Sequence, residues 1–421
     1  MTPLAADCFA YGGEKIGVRA AQALLAARIV PAAGVETVPL AVAGGRCLAE
    51  MMVSPRDLPA FDNAAVDGYA FAYADGMREI GADLQLAPGR AAAGHPFDRV
   101  LPPCAALRVL TGAMMPAGTD TVALQEEVVL SGDRAAIPAG LQRGANRRLA
   151  GEEVRAGETV LNAGCRLRPQ DIGLAAELGQ ASLRVFAPLK VAILSTGDEI
   201  VEPGAHLARG AVYDANRFVL KALLQSLPVE ITDLGILQDD ADLIRTTLRA
   251  AAAEHHVILT SGGASRGDED HVVRTVAELG RLDFWQIAMK PGRPLAFGQV
   301  GHSVFVGLPG NPVAAMVCFL LFARPVLLRL GGADWRVPTG FPVRAAFALT
   351  KAAGRSEYLR GSLTRDEHGL PLARRIERDG SGMLTSLVEA QGLVEIDATV
   401  TRVAPGDLVP FLSFAELGVP V

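Results

Sequence analysis

The stretch from Lys190 to Leu330 most constrains what this chain can fold into, because short apolar runs alternate there with segments of helix length. Val257–Thr260 is typical of a buried strand, and Ala241–Ala252 has the composition of an amphipathic helix. Strands that are covered on both faces have such apolar runs, so the pattern predicts a doubly wound α/β domain with a parallel sheet. In such sheets ligands bind at the loops after the carboxyl ends of the strands, so a site is expected there.

The rest of the chain predicts further parts around this domain, because 421 residues exceed one ordinary domain. Thr37–Val42 reads as a strand, and Gly and Pro break a later segment into short strand-like runs such as Thr121–Leu130. Helical patterns at Ile16–Ile29 and Pro169–Leu178 flank those runs. The predicted fold class is therefore multidomain α/β plus β. Its parts are a partly helical connecting layer (10–53 and 149–183), a β-rich insert (54–148), the α/β domain (184–332) and a C-terminal β-barrel (338–421).

Composition and charge exclude several classes of protein. The net charge of −6 gives no sign of a positively charged surface that would bind nucleic acid, so nucleic acid is not an expected partner. The five cysteines form no Cys-x-x-Cys pair, which disfavours a zinc site or a disulfide framework and favours reduced thiols. No signal-peptide pattern is visible, and the apolar run Val313–Ala323 is too short to span a bilayer. A soluble cytoplasmic protein with no membrane partner is therefore expected.

The loop Ser261–His271 carries the strongest local signal for chemistry. Its glycines, which include Gly262 and Gly263, allow backbone N–H groups to converge on an anion without obstruction. Three acids follow at the predicted start of a helix, and Asp270 is the last of them. Acids at a helix N-terminus also simply favour the helix dipole, so a purely structural interpretation stays open. The functional interpretation is a site that holds phosphate together with a hard cation.

Other charged residues follow the predicted strands of the same domain. Glu199 and Asp239 each end a strand, and with Asp270 they would form a carboxylate cluster suited to Mg²⁺. Lys290 and Arg293 lie in a proline-stiffened turn after another strand. These two cations would face a bound phosphate if the turn lies at the same sheet edge as the carboxylates. A single Lys or Arg is often only solvated, so that interpretation stays open as well.

The segment Gly307–Pro312 reads as a strand-to-helix turn. Asn311 is a good N-cap and is followed by proline at the first helical position, so helix capping alone explains the motif. In the functional interpretation, Pro309, Gly310 and Asn311 expose N–H groups that receive a phosphate. That interpretation depends on the neighbouring loops.

Seven motifs in a fixed order carry a resemblance to a known family. They are Leu58–Ala70, Leu110–Ala113, Ser195–Glu199, Tyr213–Asn216, Ser261–Gly263, Lys290–Pro294 and Gly307–Pro312. On these motifs the chain resembles the molybdopterin molybdenumtransferases (the MoeA family), the bacterial counterparts of the gephyrin E domain. The resemblance extends over nearly the whole chain and implies a molybdopterin-binding type of α/β domain.

The resemblance also implies a reaction and its partners. Members of the family insert molybdenum from molybdate into adenylated molybdopterin and release AMP in a Mg²⁺-dependent step. The implied assembly is a homodimer with the site in an interdomain cleft. Other proteins of cofactor biosynthesis or molybdoenzyme maturation are further partners that the resemblance suggests. It leaves open the choice between molybdate and tungstate, and which subunit supplies each wall of the cleft.

The resemblance assigns roles to individual residues. The implied catalytic residues are Asp67, Thr111, Glu199, Asp239, Asp270 and Lys290, of which Glu199, Asp239 and Asp270 are the metal ligands. The implied substrate-binding residues are Arg148, Ser261, Gly262, Gly263, Arg293, Pro309, Gly310, Asn311, Arg360 and Ser381. Arg148 and Arg360 are the candidates for contact with an oxyanion. One departure is Gln286, which stands where many relatives have a lysine, on the strand expected to contain Lys290.

Two other functions remain as alternatives. The α/β domain alone also resembles the enzyme that adenylates molybdopterin, but that enzyme is a single compact domain. A non-catalytic scaffold, as gephyrin is for receptors, would require an attached adaptor domain, and none is visible here. Release of AMP would separate insertion from scaffolding, and formation of an adenylate from ATP would favour adenylation.

Overall fold

The computed structural model describes residues 15–262, 271–292, 294–378 and 380–419. Gly263, Asp270 and Arg293, which were assigned metal-binding or substrate-binding roles, lie outside these residues. The chain forms two compact units. The insert unit comprises Met51–Ala163 and Gln170–Ala181, and the main unit comprises Met1–Glu50, Gly164–Pro169 and Ser182–Val421.

The described chain begins with helix α1 (Val18–Arg28), followed by strand β1 (Val35–Pro39) and the 3₁₀ helix Leu40–Val42. The expected strand Thr37–Val42 is therefore a strand only as far as Pro39. The reason is that proline has no N–H to donate to a strand ladder, and the chain turns into the 3₁₀ helix directly after it.

The insert unit is built mainly of short strands, as the frequent Gly and Pro residues predicted. Its elements are β2 (Met52–Val53), β3 (Asn63–Ala64), β4 (Gly68–Phe71), α2 (Met77–Ile80), β5 (Ala82–Ala91), β6 (Ala105–Val109), β7 (Thr121–Leu124), β8 (Val129–Ser131), β9 (Arg134–Ile137), β10 (Arg147–Arg148), β11 (Thr159–Leu161) and α3 (Pro169–Glu177). Six strands form a sheet in the order β7-β4-β6-β5-β9-β8. The run Thr121–Leu130 contains two strands, because the Glu127 N–H donates to the Leu124 carbonyl and closes a turn.

The α/β part of the main unit contains the next series of elements. They are β12 (Ser182–Phe186), β13 (Leu189–Thr196), β14 (Ile200–Val201), β15 (Val212–Tyr213), α4 (Asn216–Leu224), β16 (Val229–Leu237), α5 (Ala241–Glu254), β17 (Val257–Ser261), α6 (His271–Leu279), β18 (Gly280–Gln286), β19 (Met289–Lys290), β20 (Pro294–Val300), β21 (Ser303–Leu308), α7 (Pro312–Cys318), a π-helical turn (Phe319–Ala323) and α8 (Arg324–Leu330).

The central sheet has the order β16-β13-β17-β21-β20-β18 and is covered on both faces. On β13, Val191 and Ile193 join the core under α4, α7 and α8, whereas Ala192 and Leu194 join the core under α5 and α6. This alternation confirms the doubly wound α/β domain. The sheet is mixed, however, because β20 runs antiparallel to both of its neighbours. Only two residues connect β20 to β21, and a connection that short can join only antiparallel strands.

The apolar segment Pro312–Leu330 is long and apolar enough to cross a membrane by composition, but 83% of its most apolar window is buried within the protein. It packs under the central sheet with Phe319 and Phe322 in the core. The expectation of a buried helix is therefore confirmed.

The C-terminal part of the main unit is a small barrel. Its elements are β22 (Phe341–Ala345), β23 (Leu349–Thr350), β24 (Ser356–Arg365), β25 (Pro371–Arg375), α9 (Thr385–Val388), β26 (Gly392–Ile396), β27 (Arg402–Val403) and β28 (Leu408–Ser413). Strands β24, β25, β22, β28 and β26 close on themselves through the pairing of β26 with β24, which confirms the predicted barrel. Strand β19 pairs with β24. Lys290 therefore belongs to the barrel sheet, and Gln286 ends a different strand, β18, contrary to the expectation that they share one.

Candidate functional site

A pocket of about 580 Å³ lies at the carboxyl ends of β13, β17 and β21, which are parallel neighbours. We call it the edge pocket. The loops that follow these strands supply its walls, together with the turn before α4. Its lining residues are Ser195, Thr196, Glu199, Ile200, Val212, Tyr213, Asp214, Ala215, Asn216, Ser261, Gly262, Gly310, Asn311, Pro312 and Gly382. It therefore lies at the edge that the sequence pattern indicated.

Five residues with proposed roles meet in this pocket. They are Glu199, Ser261, Gly262, Gly310 and Asn311. Pro309 is buried just before them, and Ser381 adjoins them because its carbonyl accepts a hydrogen bond from the N–H of Val313 at 3.0 Å. The motifs around Glu199, Ser261 and Asn311 are distant in the sequence and are brought together by the sheet order.

Asn216 joins the loops of the edge pocket to one another. Its Nδ2 donates to the Ser261 Oγ at 2.7 Å and to the Gly310 carbonyl at 2.6 Å. Its Oδ1 is buried and has no hydrogen-bond partner among the described residues, and the same holds for the Ser195 Oγ. Buried polar atoms are rarely left unpaired, so each of these two atoms in the pocket wall retains the capacity for one more hydrogen bond.

The backbone of the edge pocket requires a glycine at one position. Gly262 has φ +88°, a conformation that other residues rarely adopt. Not all the N–H groups here are available to a ligand. The Gly262 N–H donates to the Leu308 carbonyl at 3.1 Å, and the Val313 N–H is taken by Ser381. An anion would therefore depend on the remaining donors of these loops.

The turn before α4 is fixed by a buried arginine. Arg217 Nε donates to Asp214 at 2.9 Å, its Nη1 donates to Asp233 at 2.6 Å, and its Nη2 donates to Glu202. Burial disfavours the charge of Arg217, but the hydrogen bonds to Asp233 and Asp214 outweigh it and raise the pKa of this guanidinium. Asp214 and Asn216 both line the edge pocket. Arg217 does not line it, but its hydrogen bond to Asp214 fixes this part of the pocket wall.

The proposed metal ligands are only partly described. Glu199 lines the edge pocket, and the exposed Asp239 has its backbone N–H bonded to Asp198 Oδ1 at 3.1 Å. Asp239 does not line the pocket. Within the part of the chain that the structure describes, no group of three or more His, Cys, Asp or Glu residues could hold a metal ion. Carboxylate oxygens are nevertheless the donors that Mg²⁺ prefers, so the residue types fit that ion.

Lys290 lies apart from the lining of the edge pocket. Its Nζ is 3.9 Å from Glu357 Oε2, and Arg355 is 3.4 Å from the other oxygen of that carboxylate. Glu357 is buried, whereas the Lys290 side chain is 44% exposed. Lys290 is thus a partly accessible cation that is held beside the barrel.

In the insert unit, the structure brings Asp67 and Thr111 together. Asp67 Oδ1 accepts hydrogen bonds from the Thr111 N–H at 2.8 Å and from its Oγ1 at 2.7 Å. The backbone bond and then the hydroxyl bond lower the pKa of Asp67 below its usual value. Two residues assigned to chemistry from separate motifs therefore form one accessible, firmly ionised carboxylate.

The two arginines proposed for oxyanion contact are engaged elsewhere. Arg148 Nε donates to Glu152 Oε1 at 2.6 Å, and this bond raises the pKa of the arginine. Arg360 is 5% exposed inside the barrel, where its Nε donates to Ser386 Oγ at 3.1 Å. Neither arginine lines the edge pocket.

Several lining residues had no role assigned from the sequence, and three polar ones among them are Ser195, Asp214 and Asn216. The signal was present, because the first begins one of the resemblance motifs and the other two lie in Tyr213–Asn216. No role could be assigned from the sequence, because the contacts of Asn216 are made to residues far along the chain.

Comparison with known proteins covers both units. Three family models match in order: the MoeA N-terminal region (domain I and II) over residues 16–179, the probable molybdopterin binding domain over 192–329, and the MoeA C-terminal region (domain IV) over 342–414. The edge pocket is lined mainly by residues of the second match. These matches define a class of proteins in which a molybdopterin-binding type of domain is combined with MoeA-type flanking regions.

Similar proteins support the same assignment. The chain is 38% identical to the molybdopterin molybdenumtransferase of Haemophilus influenzae, over 89% of this chain and 93% of that protein. It is 33% identical to the protein of the same name from Nostoc, over 88% and 87% of the two chains. The crystal structure of a MoeA protein from Pyrococcus horikoshii matches with TM-score 0.80 and 30% identity, over 94% and 99% of the chains. The chain belongs to the molybdopterin molybdenumtransferase (MoeA) family.

Proposed function

We propose that this protein inserts molybdenum from molybdate into adenylated molybdopterin and releases AMP. The observation that carries the proposal is the extent of the match to the named transferases, which takes in the insert unit, the α/β part and the barrel. A protein that only adenylated molybdopterin would need the α/β part alone. Family membership therefore favours insertion over adenylation.

The edge pocket is the proposed binding site for the pterin substrate. Its volume of about 580 Å³ is in the usual range for small-molecule sites. The Asn216 Oδ1 would accept a hydrogen bond from a polar ring edge of the substrate, and the Ser195 Oγ would accept or donate one. Asn216 would also keep the Ser261 and Gly310 loops at a fixed separation.

Mg²⁺ is proposed as the metal that the reaction requires, with Glu199, Asp239 and Asp270 as its ligands. When bound, such an ion neutralises charge on the phosphates during cleavage of a phosphoanhydride. Lys290 is proposed to add positive charge near the same substrate. Homodimer assembly and a cytoplasmic location are further proposals, and they are supported by the family resemblance alone.

Asp67 is proposed as a catalytic residue because two hydrogen bonds from Thr111 hold its accessible carboxylate in place. Asp67→Ala should then reduce molybdenum insertion while leaving the fold intact. Asp133→Ala is a matched control, since Asp133 is another exposed carboxylate of the insert unit with a side-chain partner, Gln85. Equal cofactor yield from the two variants would remove Asp67 from the mechanism.

The proposed function is tested by measuring AMP release from adenylated molybdopterin with and without molybdate and Mg²⁺, together with molybdenum in the pterin product. The expected result is that both ions are required and that metal appears in the product as AMP is released. Binding without AMP release would contradict insertion. Formation of adenylated molybdopterin from ATP would instead indicate the adenylation reaction.

A further inference from the structure

A second pocket in the main unit has no part in the proposed reaction. It has a volume of about 490 Å³, and its lining among the described residues includes four arginines, Arg166, Arg168, Arg324 and Arg336, and two acids, Asp334 and Glu416. We call it the arginine pocket. It shares no lining residue with the edge pocket. The excess of positive charge here contrasts with the net charge of −6 for the whole chain.

Arg166 is held in place without neutralisation of its charge. Its Nε donates to the Gly45 carbonyl at 3.1 Å, and its Nη2 donates to the Ser226 carbonyl at 2.7 Å. Both acceptors are uncharged, and no described carboxylate lies within ion-pair distance of this guanidinium. The hydrogen bonds fix the plane of the guanidinium and leave its charge available to a ligand.

Within the described ranges, the guanidinium of Arg324 has fewer hydrogen bonds than that of Arg166. Its Nε is buried and has no hydrogen-bond partner among the described residues. Burial and then the nearby charge of Arg166 lower the pKa of Arg324, and Glu416 offsets this only in part. Two partly buried like charges close to each other destabilise a fold, and a bound anion would reduce their repulsion and give Arg324 a partner.

The rest of the lining indicates what the anion carries. Leu328, Val337 and Pro338 supply an apolar wall, and the volume exceeds what one inorganic oxyanion would fill. Arginine guanidinium groups bind phosphate oxygens in pairs, with charge-assisted hydrogen bonds. We propose that the arginine pocket is a second ligand site that binds a small phosphomonoester, with its phosphate on Arg166 and Arg324 and its organic body on the apolar wall.

The proposal is tested by calorimetric titration with phenyl phosphate, in parallel with inorganic phosphate. The wild-type protein should bind phenyl phosphate at one site that Arg166→Gln and Arg324→Gln each weaken by about tenfold or more. Arg324→Lys keeps the charge and should bind with intermediate affinity. Arg249→Gln, a change at an exposed arginine of α5, should bind as the wild type does.

Thermal melting separates binding from a structural role of Arg324. In phosphate-free buffer, Arg324→Gln should melt at or above the wild-type temperature, and phenyl phosphate should raise the melting temperature of the wild type and of Arg249→Gln more than that of Arg324→Gln. Absence of phenyl phosphate binding by the wild type, or binding by both Gln variants as tight as that of the wild type, would overturn the proposal. Inorganic phosphate binding as tightly as phenyl phosphate would overturn the assignment of the apolar wall.

Discussion

Two arginines of the main unit, the buried Arg217 and the partly buried Arg324, have opposite surroundings. Arg217 is bonded to Asp214, Asp233 and Glu202, and these partners raise its pKa. Arg324 has an unpaired Nε and a second guanidinium nearby, and its pKa is lowered. Carboxylates of the chain itself pair with the charge of Arg217. Among the described residues, the Nε of Arg324 has no hydrogen-bond partner.

The difference separates a structural charge from a binding charge. The carboxylates around Arg217 fix the turn that carries Asn216 into the edge pocket, so the charge contributes to the shape of the site. The charge of Arg324 is offset only in part, by Glu416. A charge that costs stability in the free protein is best explained by a partner that arrives from outside.

The largest expected effect is that of Arg217→Met on stability. The change leaves the buried Asp214 without its cation and leaves Asp233 with Lys221 alone, at 3.2 Å, and breaking a buried ion pair costs about 3–5 kcal/mol. Both tryptophans, Trp285 and Trp335, lie in the main unit, so their fluorescence during denaturant unfolding reports on this unit. The matched change Arg249→Met should leave the midpoint almost unchanged. Equal unfolding midpoints for Arg217→Met and Arg249→Met would contradict the structural role of the Arg217 charge.

A smaller loss is expected for Asn216→Ala. The change removes two hydrogen bonds, to Ser261 and Gly310, that together contribute about 1–3 kcal/mol. The same fluorescence measurement applies. Wild-type stability would show that the loops of the edge pocket are held together by other contacts.

The third expectation concerns pH. Burial of Asp233 opposes its ionisation, but hydrogen bonds from Arg217 and from the Gly235 N–H lower its pKa below the ordinary 3.8. The stability it contributes is therefore complete above that value and is lost as the pH falls through the lower folded-state pKa. The difference in midpoint between wild type and Arg217→Met should shrink as the pH falls below about 4. A difference that stays constant with pH would contradict the ion-pair explanation.

The smallest effect is expected for Arg324→Gln in phosphate-free buffer. Removing a charge that lacks partners should change the free energy of unfolding by less than about 1 kcal/mol, with a small gain as the favoured direction. Denaturant unfolding followed by tryptophan fluorescence checks this value. A loss as large as that of Arg217→Met would place Arg324 with the structural charges.

Much of the fold could be predicted because its signals are local. The apolar runs of β13, β17 and β21 predicted a sheet covered on both faces, and turn residues predicted the β-rich insert and the barrel. The antiparallel β20 could not be read from these runs, because strand direction depends on a two-residue turn that the runs do not reveal. The end of β1 depends on Pro39, a local cue that the expected strand overlooked.

The site was predicted less completely. The loops with Glu199, Ser261 and Asn311 were expected at one sheet edge, and Asp67 with Thr111 was expected from the family resemblance. Asn216 and Arg217 were not assigned roles, since their contacts depend on the three-dimensional arrangement of loops distant in sequence. The arginine pocket gave no sequence signal, because Arg166 and Arg324 are 158 positions apart by their numbers (324 − 166).

The central claim is that the edge pocket holds the substrate during molybdenum transfer. It is tested most directly by the single-turnover rate of molybdenum incorporation into adenylated molybdopterin for wild type, Asn216→Ala and Arg249→Gln. Loss of loop positioning should slow Asn216→Ala by about tenfold or more while Arg249→Gln keeps the wild-type rate. A folded Asn216→Ala protein that incorporates molybdenum at the wild-type rate would contradict the claim.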